Sequence, residues 1–255
     1  MECLLEAIDI NMHFGGVRAV DGISMHVNNG EILGIIGPNG SGKTTFFNAL
    51  TGIYKPTSGK FLFEGKDITG TELHDMTRMG IARTFQNIRI FNAMTVCENV
   101  LIGQNIHLKT NFIDSVFHTS KYRKVEKTAK ERAYEAMRQV GLEHMAGEIA
   151  GSMSYGLQKR LELARAMVCE PRLLLLDEPT AGMNSVEADE LMELVQKIRM
   201  EKHISVILIE HNMKVMMRTA QRIFAMDTGK KIAEGTPEEI QENPLVIRAY
   251  LGGDN

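Results

Sequence analysis

The sequence predicts an α/β fold with a mainly parallel core sheet, and three features of the chain lead to this prediction. Short apolar runs with strand character alternate with helix-like runs along the 255 residues. The run at residues 32–36 leads into a glycine-rich loop, residues 37–45. Another run, residues 173–176, ends in two adjacent acids. Such alternation is typical of parallel strands and helices layered around a phosphate-binding loop.

The expected elements follow one another along the chain. Strands are predicted at residues 4–10, 17–27, 32–36, 60–63, 172–176 and 204–209. The other predicted features are a helix from about Lys43, a turn at 65–67, a helix at about 186–200, a hairpin bracketed by Gly229 and Gly235, and terminal helices that start at Pro237 and Pro244.

The stretch from about residue 88 to 160 has a different sequence pattern and is predicted to be a helical lobe. Its apolar residues recur at helical spacing, while lysines and arginines occupy other positions. The basic face is one candidate docking surface, but Glu126/Lys130 and Lys127/Glu131 can pair at i,i+4, which favours a solvated face. The chain, 1–255, is interpreted as a single domain that ends in a helical tail from about residue 237 to 255.

Composition argues against several classes of function. The net charge is −3, so no overall basic character indicates nucleic acid as a partner. The cysteines Cys3, Cys97 and Cys169 are odd in number and far apart, which favours a reducing compartment. No apolar stretch approaches the ~20 residues that cross a bilayer, and the chain does not open on a basic signal segment. We therefore expect the chain to be soluble by itself.

The glycine-rich loop reads GPNGSGKTT and fits the pattern G-x-x-x-x-G-K-[ST] after a strand, which predicts a phosphate-binding loop. Its glycines let successive N–H groups converge on an anion, Lys43 adds positive charge, and Thr44 offers a hydroxyl to Mg²⁺. The helix that begins near Lys43 directs its positive end at the same anion. The predicted nucleotide-binding residues of this loop are Asn39, Gly40, Ser41, Gly42, Lys43, Thr44 and Thr45.

The two acids at 177 and 178 follow a buried strand, LLLLDEP. Successive strand residues face opposite ways, so the two carboxylates have different roles. Asp177 suits the shell of a metal ion near Thr44, and Glu178 suits orienting or deprotonating the water that attacks a γ-phosphate. Acids after a strand can also simply solubilise a loop, and the phosphate loop upstream is what favours catalysis.

A third motif, residues 153–158, precedes a helix-like run. Ser154 can cap that helix and Gly156 permits close approach, so the segment can present a helix N-terminus to an anion. Taken alone this is an ordinary helix start, and its position just upstream of the Asp-Glu pair is what singles it out.

In this order the motifs resemble the ATP-binding cassette family of transport ATPases over nearly the whole chain. The resemblance implies the fold of that family, with an antiparallel β subdomain and a helical lobe that bears the signature at 153–157. It also implies ATP and Mg²⁺ as cofactors. By position, Gln86 and His211 would join Glu178 in catalysis, Gln86 would join Thr44 and Asp177 at the metal, and Phe14 would stack on adenine. Ser154 and Gly156 would contact ATP.

Less specific features of the chain resemble those of the ATPase subunits of branched-chain amino acid importers. They are the opening Phe14-Gly15-Gly16, Tyr155 inside the signature, extra length around 103–125 and the tail at 243–252. Within the signature, Tyr155 and Leu157 replace the glycine and glutamine of the broad family, and Asn184 stands where an aspartate is usual. Phosphate contact is expected to persist, while the communication between paired sites is left open.

The resemblance implies a peripheral subunit on the cytoplasmic face of the cell membrane. Two cassettes, identical or different, would form a head-to-tail dimer that drives membrane permease subunits, whose coupling helix would enter a groove around residues 86–102. An extracytoplasmic solute-binding protein would deliver the solute, and no nucleic acid is expected. The alternatives are a cassette for another solute and a soluble cassette ATPase such as an iron–sulfur assembly helper.

Overall fold

A computed structural model describes residues 2–86, 88–104 and 120–251, and the side chains of 120–124 and 251 are outside this description. The strands are β1 (Cys3–Phe14), β2 (Val17–Asn28), β3 (Ile32–Ile36), β4 (Ser58–Phe63), β5 (Lys66–Asp67), β6 (Ile81–Arg83), β7 (Leu173–Asp177), β8 (Ser205–Ile209), β9 (Arg222–Asp227) and β10 (Lys230–Gly235). The helices are α1 (Lys43–Leu50), α2 (Leu73–Met79), α3 (Val96–Gly103), α4 (Ser120–Gln139), α5 (Tyr155–Met167), α6 (Ser185–Lys202), α7 (Met213–Thr219), α8 (Pro237–Gln241) and α9 (Pro244–Leu251). Most of the extra length expected around 103–125 lies outside the described residues.

A six-stranded sheet in the order β10-β9-β3-β8-β7-β6 forms the centre of the molecule. Its strands are parallel except β10, which pairs antiparallel with β9. Strands β3, β7 and β8 are buried along their whole length because both faces of the sheet are covered. Alternate residues therefore enter different cores: Leu174 and Leu176 pack into one hydrophobic cluster, and Leu173 and Leu175 pack into the other.

A second sheet is antiparallel, in the order β2-β1-β4-β5, and covers one of these two cores. Between the sheets lies α1, whose Phe46 and Phe47 are fully buried. The turn predicted at 65–67 is corrected in part, because Lys66 and Asp67 form the short strand β5 and the turn lies at Glu64 and Gly65. The antiparallel subdomain that the resemblance implied is confirmed.

The other core lies under the helical lobe. Helices α3, α4 and α5 pack together, and the capping box of Thr95 and Glu98 fixes the start of α3. The apolar positions expected on this helix are buried at Ala129, Ala133, Ala136 and Met137 of α4 and at Val140, which directly follows it. On the outer face, Lys130 lies 2.9 Å from Glu126 and Lys127 lies 3.9 Å from Glu131, which confirms the predicted i,i+4 pairs.

The terminal helices are confirmed, since α8 and α9 begin at Pro237 and Pro244. The predicted hairpin is corrected in its bounds: it forms between β9 and β10, with Gly229 in the turn and Gly235 at the end of β10, so the two glycines bracket its second strand alone. Val246 of α9 is buried against the lobe-side core, so the tail packs on the domain. None of the helices in the described part of the chain has the length and apolar character that a membrane span needs.

Candidate active site

The phosphate loop, residues 37–45, joins β3 to α1 at the carboxyl edge of the parallel sheet. Gly40 and Gly42 have φ values of 80° and 99°, in the left-handed region that glycine tolerates. A Cβ at Gly42 would collide with the carbonyl oxygen of Ala19, whereas at Gly40 it would meet open space. The loop is thus pressed against its own protein on one side and left open on the other, as an anion cradle requires.

Lys43 is buried within this loop. Its ammonium donates hydrogen bonds to the carbonyl oxygens of Gly37 and Pro38 at 2.7 and 2.9 Å, and to Ser41 Oγ at 3.3 Å. Burial lowers the pKa of Lys43, and the nearby carboxylates Glu178 and Asp177 oppose that change. The cation is therefore held by backbone carbonyls that phosphate oxygens can replace.

The loop borders a cleft of about 410 Å³. The cleft brings together most of the predicted site residues, namely Asn39, Gly40, Gly42, Lys43, Thr44, Thr45, Gln86, Glu178 and His211. It is also lined by Val17, Arg18, Ala19, Thr228 and Gly229, which the sequence analysis did not single out. Ser41, also in the loop, does not line the cleft and is buried, and its hydroxyl accepts a hydrogen bond from Lys43.

Glu178 is the meeting point of the three predicted catalytic residues. Gln86 Nε2 donates to Glu178 Oε2 at 2.6 Å, and His211 Nε2 lies 2.5 Å from Glu178 Oε1. Glu178 has φ 48°, a left-handed conformation that is unfavourable for a side chain with a Cβ. Its N–H donates to the carbonyl of Ile209 on β8, and this backbone contact holds the carboxylate over the cleft.

Asp177, the last residue of β7, does not line the cleft, and its contacts differ from those of Glu178, as predicted. Its Oδ2 accepts a hydrogen bond from Arg83 Nη2 at 2.8 Å, and both side chains are almost fully buried. Arg83 also donates to Asn48 Oδ1 and Thr51 Oγ1 at 2.9 and 2.8 Å, so it ties β6 and β7 to the end of α1. Sequence reasoning missed Arg83, whose one signal was a charged residue in a short apolar strand just before Gln86.

The donor set fits a magnesium ion better than a metal held by protein alone. Among residues 2–86, 88–104 and 120–251, no group of three or more His, Cys, Asp or Glu is arranged to hold a metal ion. Mg²⁺ takes most of its ligands from water and phosphate and needs only one or two from the protein. The Thr44 hydroxyl lines the cleft and is one such ligand, while the Asp177 carboxylate is paired with Arg83 and lies near Lys43, whose pKa its charge raises against the effect of burial.

Phe14 lies beside the cleft and is not among its lining residues. Its ring packs edge-to-face on Tyr54, with centroids 5.4 Å apart, and is 46% exposed. Phe14 pairs across the hairpin with Val17, which does line the cleft. The adenine contact of Phe14 therefore stays a prediction.

The signature turn, residues 153–157, is not brought to this cleft. Ser154 occupies the N-cap position of α5, but its hydroxyl accepts no hydrogen bond from the first turn, so the predicted side-chain cap is wrong. The hydroxyl is exposed instead. Neither Ser154 nor Gly156 lines the cleft that holds the phosphate loop.

Tyr155 and Asn184, where the sequence departs from the broad family pattern, both make local contacts. The Tyr155 ring lies over Gly182, where an added Cβ would be 3.4 Å from it. Asn184 Oδ1 accepts hydrogen bonds from the N–H groups of Val186 and Glu187, both at 3.0 Å. In return, the Glu187 carboxylate accepts a hydrogen bond from the Asn184 N–H. Asn184 is thus the N-cap of α6.

Two further contacts escaped the sequence analysis. Glu210, buried just before His211, accepts both the N–H and the hydroxyl of Thr180, at 2.9 and 2.7 Å. Tyr250 of α9 accepts the N–H of Gly37 at 2.9 Å, and burial raises the pKa of its phenol. Both contacts join segments far apart in sequence and depend on the folded topology.

Comparisons with known proteins agree with this architecture. Residues 20–181 match the ABC transporter family, and residues 230–254 match a family described as branched-chain amino acid ATP-binding cassette transporter. BraF of Pseudomonas aeruginosa, a high-affinity branched-chain amino acid transport ATP-binding protein, is 46% identical over 98% of both chains. LivG of Escherichia coli K12, described in the same words, is 44% identical over 98% of both chains.

Solved structures give the same result. The cassette MJ1267 of an ABC transporter, in its ADP conformation, matches with a TM-score of 0.87 and 34% identity, over 99% of this chain and 100% of that one. A nucleotide-free cassette from an ABC transporter matches with a TM-score of 0.84 and 32% identity, over 97% and 98%. The chain therefore belongs to the ABC transporter family, as one of its ATP-binding subunits.

Proposed function

We propose that this chain is the ATP-hydrolysing subunit of an importer for branched-chain or related amino acids, and that it works with separate membrane permeases. The observation that carries the ATPase activity is the Glu178 carboxylate, held by Gln86 and His211 in the same cleft as Lys43. The solute class is supported by the match of residues 230–254 and by relatives that share 44–46% of the sequence. The permease and an external binding protein select the solute, and this chain contacts none.

In the proposed mechanism, the phosphate loop binds the triphosphate through its N–H groups and the N-terminus of α1. Lys43 exchanges its contacts with the carbonyls of Gly37 and Pro38 for the β- and γ-phosphates. Thr44, Asp177 and Gln86 would hold Mg²⁺, which supplies charge neutralisation at the phosphates when bound. Val17 and Phe14 would flank the adenine of ATP.

Glu178 accepts the proton of the water that attacks the γ-phosphate. Its two oxygens are each fixed by a neighbour, Gln86 on one side and His211 on the other. These contacts orient the carboxylate toward the cleft, and the left-handed backbone at Glu178 limits the directions in which it can turn. We infer that these contacts assist the reaction by fixing the position of the Glu178 carboxylate.

The nucleotide site is completed by a second ATPase subunit, either another copy or a related chain. Neither Ser154 nor Gly156 is among the described residues that line the cleft, which supports their serving the nucleotide of another subunit. The exposed hydroxyl of Ser154 and the N-terminus of α5 are suited to that role in a neighbour's site. Two subunits related by a twofold axis would exchange these elements reciprocally.

A groove of about 210 Å³ beside Gln86 is suited to the permease. It lies between α2 and α5 and is lined by Leu73, Phe85, Arg89, Glu162, Arg165 and Cys169 among others. A helix of the permease that entered it would contact the loop of Gln86 directly, so that closing of two subunits on ATP moves the permease. The subunit would then lie on the cytoplasmic face of the membrane as a peripheral protein.

Co-purification and hydrolysis together test this proposal. An affinity-tagged chain extracted with mild detergent is expected to retain permease proteins and to hydrolyse ATP faster in that complex than alone. Recovery of soluble scaffold proteins, with no permease, would favour a non-transport ATPase. A permease complex that takes up a different solute would leave the ATPase role intact and overturn the amino acid assignment.

A further inference from the structure

Helix α5 carries a buried ion pair one turn beyond the signature turn. Lys159 Nζ lies 3.6 Å from Glu162 Oε2, and the two side chains are only 2% and 8% exposed. Burial raises the pKa of Glu162, while Lys159 and the N–H groups of Phe85 and Arg89 oppose that rise. A buried pair of this kind is weak evidence for stability, because desolvation offsets much of the attraction. The role of this ion pair is therefore better judged from the other contacts of Lys159 and Glu162.

Those contacts lie on the backbone around Gln86. Lys159 donates to the carbonyl oxygen of Gln86 at 3.0 Å, and Glu162 accepts the N–H of Phe85 at 3.3 Å. One turn further along α5, Arg165 donates to the carbonyl oxygen of Arg89. Three charged side chains on one face of α5 thus hold the main chain on both sides of the catalytic glutamine.

The same helix begins at the signature turn. Tyr155, its first residue, has its ring 5.9 Å from Lys159 Nζ, so the turn contacts the ion pair directly. At the other end of the chain of contacts, the Gln86 side chain donates to Glu178 at 2.6 Å. A displacement of α5 therefore moves the Gln86 backbone, and Gln86 is one of the two groups that fix Glu178.

We propose that Lys159 and Glu162 are positioning residues that transmit the position of α5 to Gln86. Hydrolysis in this subunit then depends on whether its own signature turn is bound to the nucleotide of the second subunit. This inference rests on the proposed function, because it needs a signature turn that serves a neighbour's site. It adds the residues through which one site senses the other.

The test uses Lys159→Met in the complex with permease and partner ATPase. Met keeps the apolar stem and removes the donor, so we expect kcat to fall roughly tenfold, with the ATP concentration for half-maximal rate within about twofold of the parent. The matched control is Lys127→Met, which removes an exposed i,i+4 pair on α4 and is expected to leave both values unchanged. A fall in ATP affinity with kcat unchanged would overturn the proposal.

A double-mutant cycle separates positioning from a merely structural role. If Lys159 acts through Gln86, then Lys159→Met in a Gln86→Ala background costs less than about twofold in kcat. Equal tenfold losses in both backgrounds would overturn the inference. Where Lys159→Met melts well below the parent, Glu162→Gln takes its place in the cycle, since its amide oxygen still accepts the Phe85 N–H while the charge is removed.

Dimerisation distinguishes this inference from the proposed function. In a Glu178→Gln background, ATP is expected to drive dimers with and without Lys159→Met, because the signature turn itself is intact. If the background variant forms no dimer with ATP, the shared site is wrong and this inference falls with it. If dimers form and the losses are additive, the inference alone is overturned.

Discussion

The phosphate loop and the signature turn are both glycine-containing turns that open a helix, yet they are used differently. In the phosphate loop, Lys43 is buried and satisfied by carbonyls of its own loop, and Glu178 stands across the cleft. In the signature turn, Ser154 is exposed and makes no cap with its own helix. The first turn places its cation in the same cleft as the Glu178 carboxylate, whereas Ser154 and Gly156 of the second turn are not among the described residues that line that cleft. The contrast is the reason to assign the second turn to another molecule's nucleotide.

Removing the cation of the phosphate loop has the largest expected effect. Lys43→Ala deletes the most strongly charged protein contact to the phosphates and should abolish nucleotide binding. Titration with fluorescently labelled ATP measures it, with the exposed Lys197→Ala as control. Binding within threefold of the parent would mean that the loop N–H groups suffice.

Neutralising the base separates binding from hydrolysis in the same cleft. Glu178→Gln should slow hydrolysis by ~10²-fold or more, while ATP binding persists because Lys43 and Thr44 are unchanged. The variant should accumulate as an ATP-bound dimer, which gel filtration detects. Turnover within a factor of two of the parent would remove Glu178 from this role.

The adenine contact is expected to contribute less to ATP binding than Lys43 does. Phe14→Ala should weaken ATP binding by the ~1–3 kcal/mol of a stacking contact. Because Phe14 packs on Tyr54, the variant Tyr54→Ala controls for lost support of the hairpin. A loss as large as that of Lys43→Ala would contradict this order of effects, and so would an equal loss of affinity for inorganic triphosphate.

The contact between the C-terminal tail and the phosphate loop has the smallest expected effect. Tyr250→Phe removes the acceptor of the Gly37 N–H and should cost about 0.5–1.5 kcal/mol of ATP affinity. Tyr134→Phe, an exposed tyrosine of α4, serves as control. Isothermal titration of both variants with ATP measures the difference, and identical affinities would show that α9 does not support the loop.

Local patterns in the sequence predicted much of the cleft around the phosphate loop. The strand, glycine loop and helix at 32–50 follow from apolar runs and turn chemistry, and the strand alternation correctly separated Asp177 from Glu178. Arg83, Glu210 and Tyr250 were missed because their partners are 94, 30 and 213 residues away in sequence. Such contacts arise only once the sheet order is known.

At the signature turn, by contrast, a local sequence rule gave a wrong prediction. A serine before a helix predicts a cap, and the backbone of Ser154 adopts the N-cap conformation. The hydroxyl nevertheless accepts no hydrogen bond from the first turn of its own helix. Agreement between local preference and structure fails at a position with a proposed role outside the chain, where such failures are expected.

The ATPase rate per subunit, measured against protein concentration and against added permease complex, is the most direct test of the shared site. The rate should be low for the dilute chain and should rise both with protein concentration and with added permease complex. Ser154→Arg puts bulk and a flexible cation on the exposed turn, so it should spare ATP binding by the isolated subunit and abolish that rise; Gly156→Asp should act alike. A high rate that stays flat on both axes, with Ser154→Arg fully active, would show that the chain hydrolyses ATP as a self-sufficient monomer.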